Sequence, residues 1–516
     1  IDISLVANER VLTFIYKQLT QPLSPQENVR ASSAAALHGI ISKRMDAAAK
    51  INLLHGIQTA DLLRNLAIDA MNKEKDIQLS LETELGLRSA TGEVAKLINC
   101  ISAAALDYLK VNPSDPISTE LINLALPIAV SLLNCQEGND DFVEEALTLV
   151  SSYVNICKKT KDDQSENVAL QQILSVVYER LKFPEDYDPA DDDDVSGFLQ
   201  LRRSLIPIFK NITLAAPKLA LTVLQRDILN SHTGDRMPAD VERVFTVMET
   251  VYEIAPEEPV VVELVKSVLQ TSPFRGSVLI RADSGHPPLA KHTGLLLTSA
   301  GADMALLSST TPPAMKRAQS REDRQNHHLV SAALMYFELA TRAHRVLTTN
   351  HSILAEVLSV FFGENGLRCT DTVVRSRCAH LLVKLVLPQR YVIASHYLDH
   401  LLNSLVPLLS IEESSYFSND DECCLFEAAG LVLGVDGGNT NRLMYLSMLL
   451  NPLIENIRIP KDVSETMLIR AMRALKAAGA LSKGFTPGSL GSYSSASSPR
   501  KGDSQLLQRD GSKMSA

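Results

Sequence analysis

Tryptophan is absent from the 516 residues, and aromatic residues make up only 5% of them. The 45% hydrophobic content therefore rests on Leu, Ala, Val and Ile, which suits stacked helices better than a β-sandwich. Strand-like alternation closed by Asn-Gly or Asp-Gly turns is nearly missing as well. No two cysteines stand at metal-binding spacing. The seven, at 100, 135, 157, 369, 378, 423 and 424, are scattered and fit buried thiols in a reducing compartment. No apolar run is long enough to span a bilayer. The longest, LINLALPIAVSLLNC at 121–135, is too short and carries two Asn, a Pro and a Ser, so no membrane insertion is expected. HExxH, Walker A, GxSxG and Ser/His/Asp patterns do not occur, so neither a metal, a cofactor nor an enzymatic activity is expected. An excess of positive charge is missing too. With 50 Lys and Arg against 60 Asp and Glu the net charge is −10, and any contact with RNA must come from local patches. The chain shows no signal peptide and begins at Ile1 rather than Met, which reads as a piece of something longer.

What the sequence has in quantity is helical periodicity. In VVRSRCAHLLVKLV, the residues Val374, Cys378, Leu381, Leu382 and Leu385 fall on one helical face, with Thr370 or Asp371 as the cap. The pattern recurs in NVRASSAAALHGII. Arg, Ala, Leu and two further apolar residues follow Val29 at offsets 1, 5, 8, 11 and 12, as they do after Val374. DDFVEEALTLVSSYV (140–154) and DDECCLFEAAGLVLG (420–434) are looser copies. Helix pairs recurring every ~40–47 residues are the mark of HEAT repeats, which stack into a superhelix with a concave inner surface. The expected fold is all-α, a HEAT-repeat superhelix (α-solenoid) of roughly nine to twelve helix pairs.

Three segments interrupt the repeats, at 183–197, 281–326 and 484–516, and leave helical repeats over 1–182, 198–280 and 327–483. The first, FPEDYDPADDDDVSG, reads as an acidic loop. It is either a solvated spacer or a docking surface for a basic protein. Its adjacent aspartates lack the alternate spacing and glycine of a calcium loop. The second is rich in Pro, Thr, Ser and His and reads as an insertion, with His327 and His328 exposed at its edge. The third holds nine Ser and too little apolar content to fold.

Charge is segregated along the chain. Residues 316–390 hold eleven Lys and Arg against six Asp and Glu, net +5. Residues 137–194 hold five against sixteen, net −11. Arg375, like Arg30, occupies the recurring Val-Arg slot and is expected to be structural, paired with an Asp or a carbonyl of the neighbouring repeat. Arg377, His380 and Lys384 form a stripe away from the apolar face. With Arg202, Arg203, Lys210, Lys316, Arg317, Arg321, Arg324, Arg342 and Arg345, the residues Arg377 and Lys384 are the candidate phosphate contacts. No aromatic-rich motif for single-strand stacking is present, so shape and backbone recognition of structured RNA is expected. GLVLGVDGGNTNR (430–442) looks like the phosphate loop of sugar kinases. That loop turns between two strands, whereas here both flanks read as helices.

Several segments in order resemble the exportin-T family, the tRNA exportins of the importin-β (karyopherin) superfamily. They are IDISLVANERVL, RMDAAAKINLL, FPEDYDP with the acidic run leading into FLQLRRSLIPIFKNI, YFELATRAHRV, GLRCTDTVVRSRCAHLLVKLV, FSNDDECCLFEAAGLVLG and NPLIENI, together most of 1–485. The resemblance implies a receptor that binds tRNA together with Ran-GTP. It would shuttle between nucleus and cytoplasm, touch nucleoporins in the pore, and release its cargo on GTP hydrolysis. It makes Asp191, Asp192, Asp193 and Asp194 candidate Ran contacts, and the inner-face basic residues candidate tRNA contacts. It also implies that the family's N-terminal Ran-binding repeats precede Ile1 and that the pattern is left after Phe485. A HEAT scaffold or karyopherin for protein partners, with no RNA role, is the alternative.

Overall fold

In the computed structural model the described residues are 27–65, 81–134, 140–159, 164–184, 187–230, 238–270, 313–409, 416–435, 441–458 and 464–485. Among them there are helices and turns and no strand. The chain divides into two compact units, Ile1–Leu339 and Ala340–Ala516.

In the first unit the helices are α1 (Glu27–Ile41), α2 (Ala47–Gly56), α3 (Leu81–Val111), α4 (Pro116–Asn134), α5 (Asp140–Lys159), α6 (Val168–Arg180), α7 (Asp192–Ala215), α8 (Pro217–Asn230), α9 (Pro238–Ile254), α10 (Pro259–Gln270) and most of α11 (Pro313–Arg342). They pack in two layers by alternation. Helices α1, α3, α5, α7 and α9 stack side by side, and α4, α6, α8 and α10 cover them from one side. This is HEAT packing, in which each pair buries its apolar stripe only against the pairs before and after it. Against the expectation from the run at 121–135, helix α4, which already starts at Pro116, is apolar and long enough to cross a membrane by length and composition. Here Leu121, Ile122, Ala125, Leu126, Ala129 and Leu133 are core.

The second unit repeats the arrangement with α12 (His344–Thr349), α13 (His351–Phe362), α14 (Thr372–His396), α15 (Leu398–Leu405), α16 (Asn419–Leu433), α17 (Arg442–Ile457) and α18 (Glu465–Lys483). Helices α12, α14, α16 and α18 form one layer, with α13, α15 and α17 behind them. The expected apolar face of α14 is buried completely at Val374, Cys378, Leu381, Leu382 and Leu385. Asp371 is its cap, accepting from the amides of Val373 and Val374 at 2.8 and 3.1 Å. Helices α16 and α18 touch backbone to backbone, because a side chain at Gly430 would strike the carbonyl of Leu481. Both helices flanking 436–440 are well formed, so the strand context of a sugar-kinase phosphate loop is not met.

Two interruptions differ from the sequence reading. The helix α11 begins at Pro313, so the last third of the expected 281–326 insertion is helical. Alanine, arginine and glutamine outweigh the single-residue signals there. The acidic stretch is not a spacer. Phe183 and Tyr187 are buried with Val195, Phe198 and Ala239. Asp191 caps α7 by accepting from the amide of Asp193 at 2.9 Å, and Asp192–Asp194 form the helix's first turn. Aspartates at a helix N-terminus are favoured by its exposed amides and dipole, so the run starts a helix rather than opening a loop. Residues 1–26, 271–312 and 486–516 lie outside the described residues.

Candidate nucleic-acid interface

The stripe on α14 is where the basic candidates gather most clearly. Lys384 and His380 are exposed and Arg377 is half-buried. Among the described residues Lys384 forms no ion pair. Its neighbours Ser376 and His380 are held in place by α16, the next helix of the same layer. Ser376 donates to Asp421 Oδ1 on α16 at 2.7 Å. His380 Nε2 lies 3.8 Å from the same oxygen, and its Nδ1 lies 3.2 Å from Cys424 Sγ. Burial, with Glu427 and Asp421 nearby, pushes the Cys424 thiol up to about 11. This Cys-His-Asp contact therefore holds a protonated thiol and lacks the thiolate a nucleophile needs.

Arg375 is buried at the start of α14. Its Nη1 donates to the carbonyls of Cys369 and Thr370 at 2.7 and 2.8 Å, and its guanidinium lies 4.0 Å from the centroid of the Tyr416 ring. The Tyr416 hydroxyl donates to the carbonyls of Arg368 and Cys369 at 3.0 and 2.8 Å. The expected bond to a neighbouring repeat is thus replaced by a clasp on the turn before its own helix. The rung to the next repeat is Ser376–Asp421. The side chain of Arg30 lies outside the described residues.

In the first unit the basic pair of FLQLRRS splits. Arg203 is exposed. Arg202 is buried, which removes it from the phosphate candidates. Its Nε donates to the carbonyl of Leu181 at 2.9 Å and its Nη1 to Glu242 Oε1 on α9 at 2.8 Å, while Nη2 meets Glu242 Oε2. The guanidinium lies 4.7 Å from the ring centroids of both Phe183 and Phe198. Burial alone would raise the pKa of Glu242. The charge and hydrogen bonds of Arg202, with those of Thr246 and Ser331, outweigh it and hold the carboxyl below its ordinary value. The reason is positional. Phe198, Arg202, Leu205, Phe209 and Ile212 share one helical stripe, so Arg202 fills a core slot. Lys210 is half-exposed and paired with Glu253 at 3.2 Å.

His327 and His328, expected to be exposed, are buried. His328 stacks on Phe183 with ring centroids 4.5 Å apart, and His327 Nε2 lies 3.4 Å from the Tyr187 hydroxyl. They belong to the aromatic cluster that carries the acidic turn. Of the 316–345 candidates, Arg342 and Arg345 are exposed. Lys316, Arg317, Arg321 and Arg324 lie on α11, and their side chains are outside the described residues. The acidic turn presents Asp191, Asp192 and Asp193 to solvent, while the side chain of Asp194 is outside the described residues.

The sequence reading missed the buried Arg243. It donates to Glu179 and Asp227 at 2.8 and 3.1 Å, and its guanidinium stands 4.2 Å from the Tyr178 ring centroid. Its signal was a charged pair, Glu242-Arg243, inside an otherwise apolar helical stripe. Arg243 thus ties α9 to the covering helices α6 and α8. Other polar rungs join successive helices of the front layer, that of α1, α3, α5, α7 and α9 in the first unit and of α12, α14, α16 and α18 in the second. Asn99 donates to Glu145 at 2.5 Å, Arg473 to Glu422 at 2.8 Å and Lys483 to Glu427 at 2.6 Å. Among the described residues no group of three metal-binding side chains occurs.

A family model described as Exportin-T matches residues 314–511, and so runs past Phe485, where the sequence pattern was expected to stop. The chain is similar to Exportin-T of Oryza sativa subsp. japonica, 23% identical over 89% of this chain and 42% of that protein. It is similar to Exportin-T of Homo sapiens at 21%, over 89% of this chain and 43% of that protein. A structure titled importin 13 in its cytosolic state superposes with a TM-score of 0.52 at 11% identity, covering 93% of this chain and 56% of the other. That likeness establishes the HEAT-repeat fold. The chain spans less than half the length of the curated relatives it matches. The family model thus covers the C-terminal part of the chain, and the similarity to exportin-T proteins runs nearly its whole length in plants and animals alike.

Proposed function

We propose that this chain is the central part of a nuclear export receptor that binds tRNA cooperatively with Ran-GTP and carries it from nucleus to cytoplasm, touching nucleoporins on the way. The receptor acts by stoichiometric binding and performs no chemistry of its own. The observation that carries the reading is the similarity to exportin-T proteins over 89% of the chain. The exposed Lys384 and His380 beside Arg377 on α14, with Arg203, Arg342 and Arg345, give it a physical basis. Such groups meet phosphates of an A-form stem without reading sequence. Arg202 is excluded from this role. Asp191, Asp192 and Asp193 serve as the Ran contact, an acidic turn held rigid by the cluster of Phe183, Tyr187 and Phe198.

Coupling follows if Ran-GTP and tRNA favour the same arrangement of the repeats. Each then raises affinity for the other by an equal factor. The test is binding of labelled tRNA to the full-length protein, with and without Ran-GTP, and the converse titration. Equal enhancement in the two directions is expected. Absence of tRNA binding at low salt in the presence of Ran-GTP would favour a scaffold for protein partners instead.

A further inference from the structure

The stripe on α14 does not end at Lys384. Tyr391 follows it by seven residues, as Lys384 follows Arg377, and seven residues are close to two helical turns. The three side chains therefore share one face at steps of about 10 Å. Tyr391 is 58% exposed. The guanidinium of Arg390 lies 4.9 Å from its ring centroid, and Arg390 Nη2 donates to the Tyr391 hydroxyl at 3.3 Å. Directly beneath, Gln389 is buried and donates to Thr348 Oγ1 at 2.8 Å, which pins this turn of α14 to α12. The ring thus stands on a fixed turn, is held by a cation, and remains 58% exposed to solvent.

We propose that Tyr391, supported by Arg390, is a stacking seat for an unpaired nucleobase of an RNA whose stem phosphates are met by Arg377 and Lys384. The inference rests on the RNA-binding reading above and adds a single-stranded element to it. The absence of an aromatic-rich motif in the sequence hid the seat, because it needs one tyrosine rather than a motif. Every base has a π-face, so the seat selects for an unpaired nucleotide at a fixed distance from a stem and not for its identity. Arg390 adds a cation to the stack.

The test uses the full-length protein with Ran-GTP and two RNA stems, one blunt and one extended by unpaired nucleotides that include 2-aminopurine. The parent is expected to prefer the extended stem and to quench the 2-aminopurine on binding. Tyr391→Ala should lose about five- to 150-fold on the extended stem, keep its affinity for the blunt one, and abolish the quench. Its salt slope should not change, since no charge is removed. Tyr391→Phe should retain both affinity and quench. An equal loss on both stems, or no loss on either, overturns the seat. If Tyr391→Ala leaves RNA binding intact and weakens Ran-GTP binding, the ring is a protein contact and the seat is refuted. If the parent binds neither RNA, the RNA reading itself fails and the seat falls with it.

Discussion

Replacing Arg202 with Met tests the buried network between α7 and α9. The change keeps most of the volume and removes the charge. Side-chain exposure is 7% for Arg202 and 1% for Glu242, so the carboxylate would be left in the core with only the hydroxyls of Thr246 and Ser331 at 3.1 Å. Breaking a buried pair from one side costs about 3–5 kcal/mol. In a repeat protein that cost is felt locally, so the assay is hydrogen exchange of the α7 and α9 amides. Exchange there should accelerate by roughly a hundred- to a few thousand-fold. The pH dependence has a definite sign. In the parent, Glu242 is held below its ordinary value, so its contribution is full above the unfolded carboxylate pKa and fades as pH falls through the depressed one. In Arg202→Met, burial is no longer outweighed and the folded pKa rises. The loss should then be largest at neutral pH and shrink as the carboxyl protonates. The double change Arg202→Met with Glu242→Leu should recover much of the stability, since both charges are gone. Unchanged exchange in the single variant, or a loss independent of pH, would refute the network as the clamp between these repeats.

Other expectations can be checked alongside it. Arg375→Ala should lower the stability of the second unit by ~1–3 kcal/mol, read by thermal melting, while leaving the RNA affinity of the folded protein in place. Gly430→Ala should cost ~1–3 kcal/mol, because the new methyl meets the backbone of Leu481; Gly39→Ala, where the same space is open, should be neutral or stabilising. Asp191→Ala should cost ~0.5–2 kcal/mol as a lost cap, and Asp191→Ser should cost little, with the difference visible in exchange of the first α7 amides. In the full-length protein with Ran-GTP, Arg377→Ala with Lys384→Ala should weaken all tRNAs about equally and flatten the salt slope by between one and two units. An unchanged slope would move the tRNA contacts to the 342–345 region.

The fold was readable from the sequence because HEAT packing repeats a local rule. Each helix needs only its own apolar stripe, and the stripe of α14 was legible to the residue, while its cap was narrowed to Thr370 or Asp371 and the structure decides for Asp371. What could not be read was which polar residues face inward. Arg202 and Arg203 are adjacent and chemically the same, and only the helical phase that places Arg202 in line with Phe198 and Leu205 separates them. That phase was present in the sequence and outvoted by charge. The burial of His327 and His328 was not legible, since the rings that cover them come from Phe183 and Tyr187, 140 or more residues earlier. The acidic run was read by its charge, whereas its aromatic neighbours decide its structure. The open ring of Tyr391 went unnoticed because exposure of one side chain leaves no pattern in a sequence.

The rungs between front-layer helices also bear on how the chain is made. Asn99–Glu145, Arg202–Glu242, Ser376–Asp421 and Arg473–Glu422 join residues 46, 40, 45 and 51 positions apart. At a synthesis rate of about 5–20 residues per second, the second partner of each rung leaves the ribosome roughly 2–10 seconds after the first. Each repeat can therefore lock onto the one before it while the rest is still being translated, and little apolar surface waits uncovered. Contacts made by α11 reach further: Ser331 with Glu242, 89 positions apart, and His327 with Tyr187, 140 apart. This histidine arrives roughly 7–28 seconds after the tyrosine. During that interval the aromatic cluster beneath the acidic turn lacks its two histidines on the nascent chain, so its cover is completed late in synthesis.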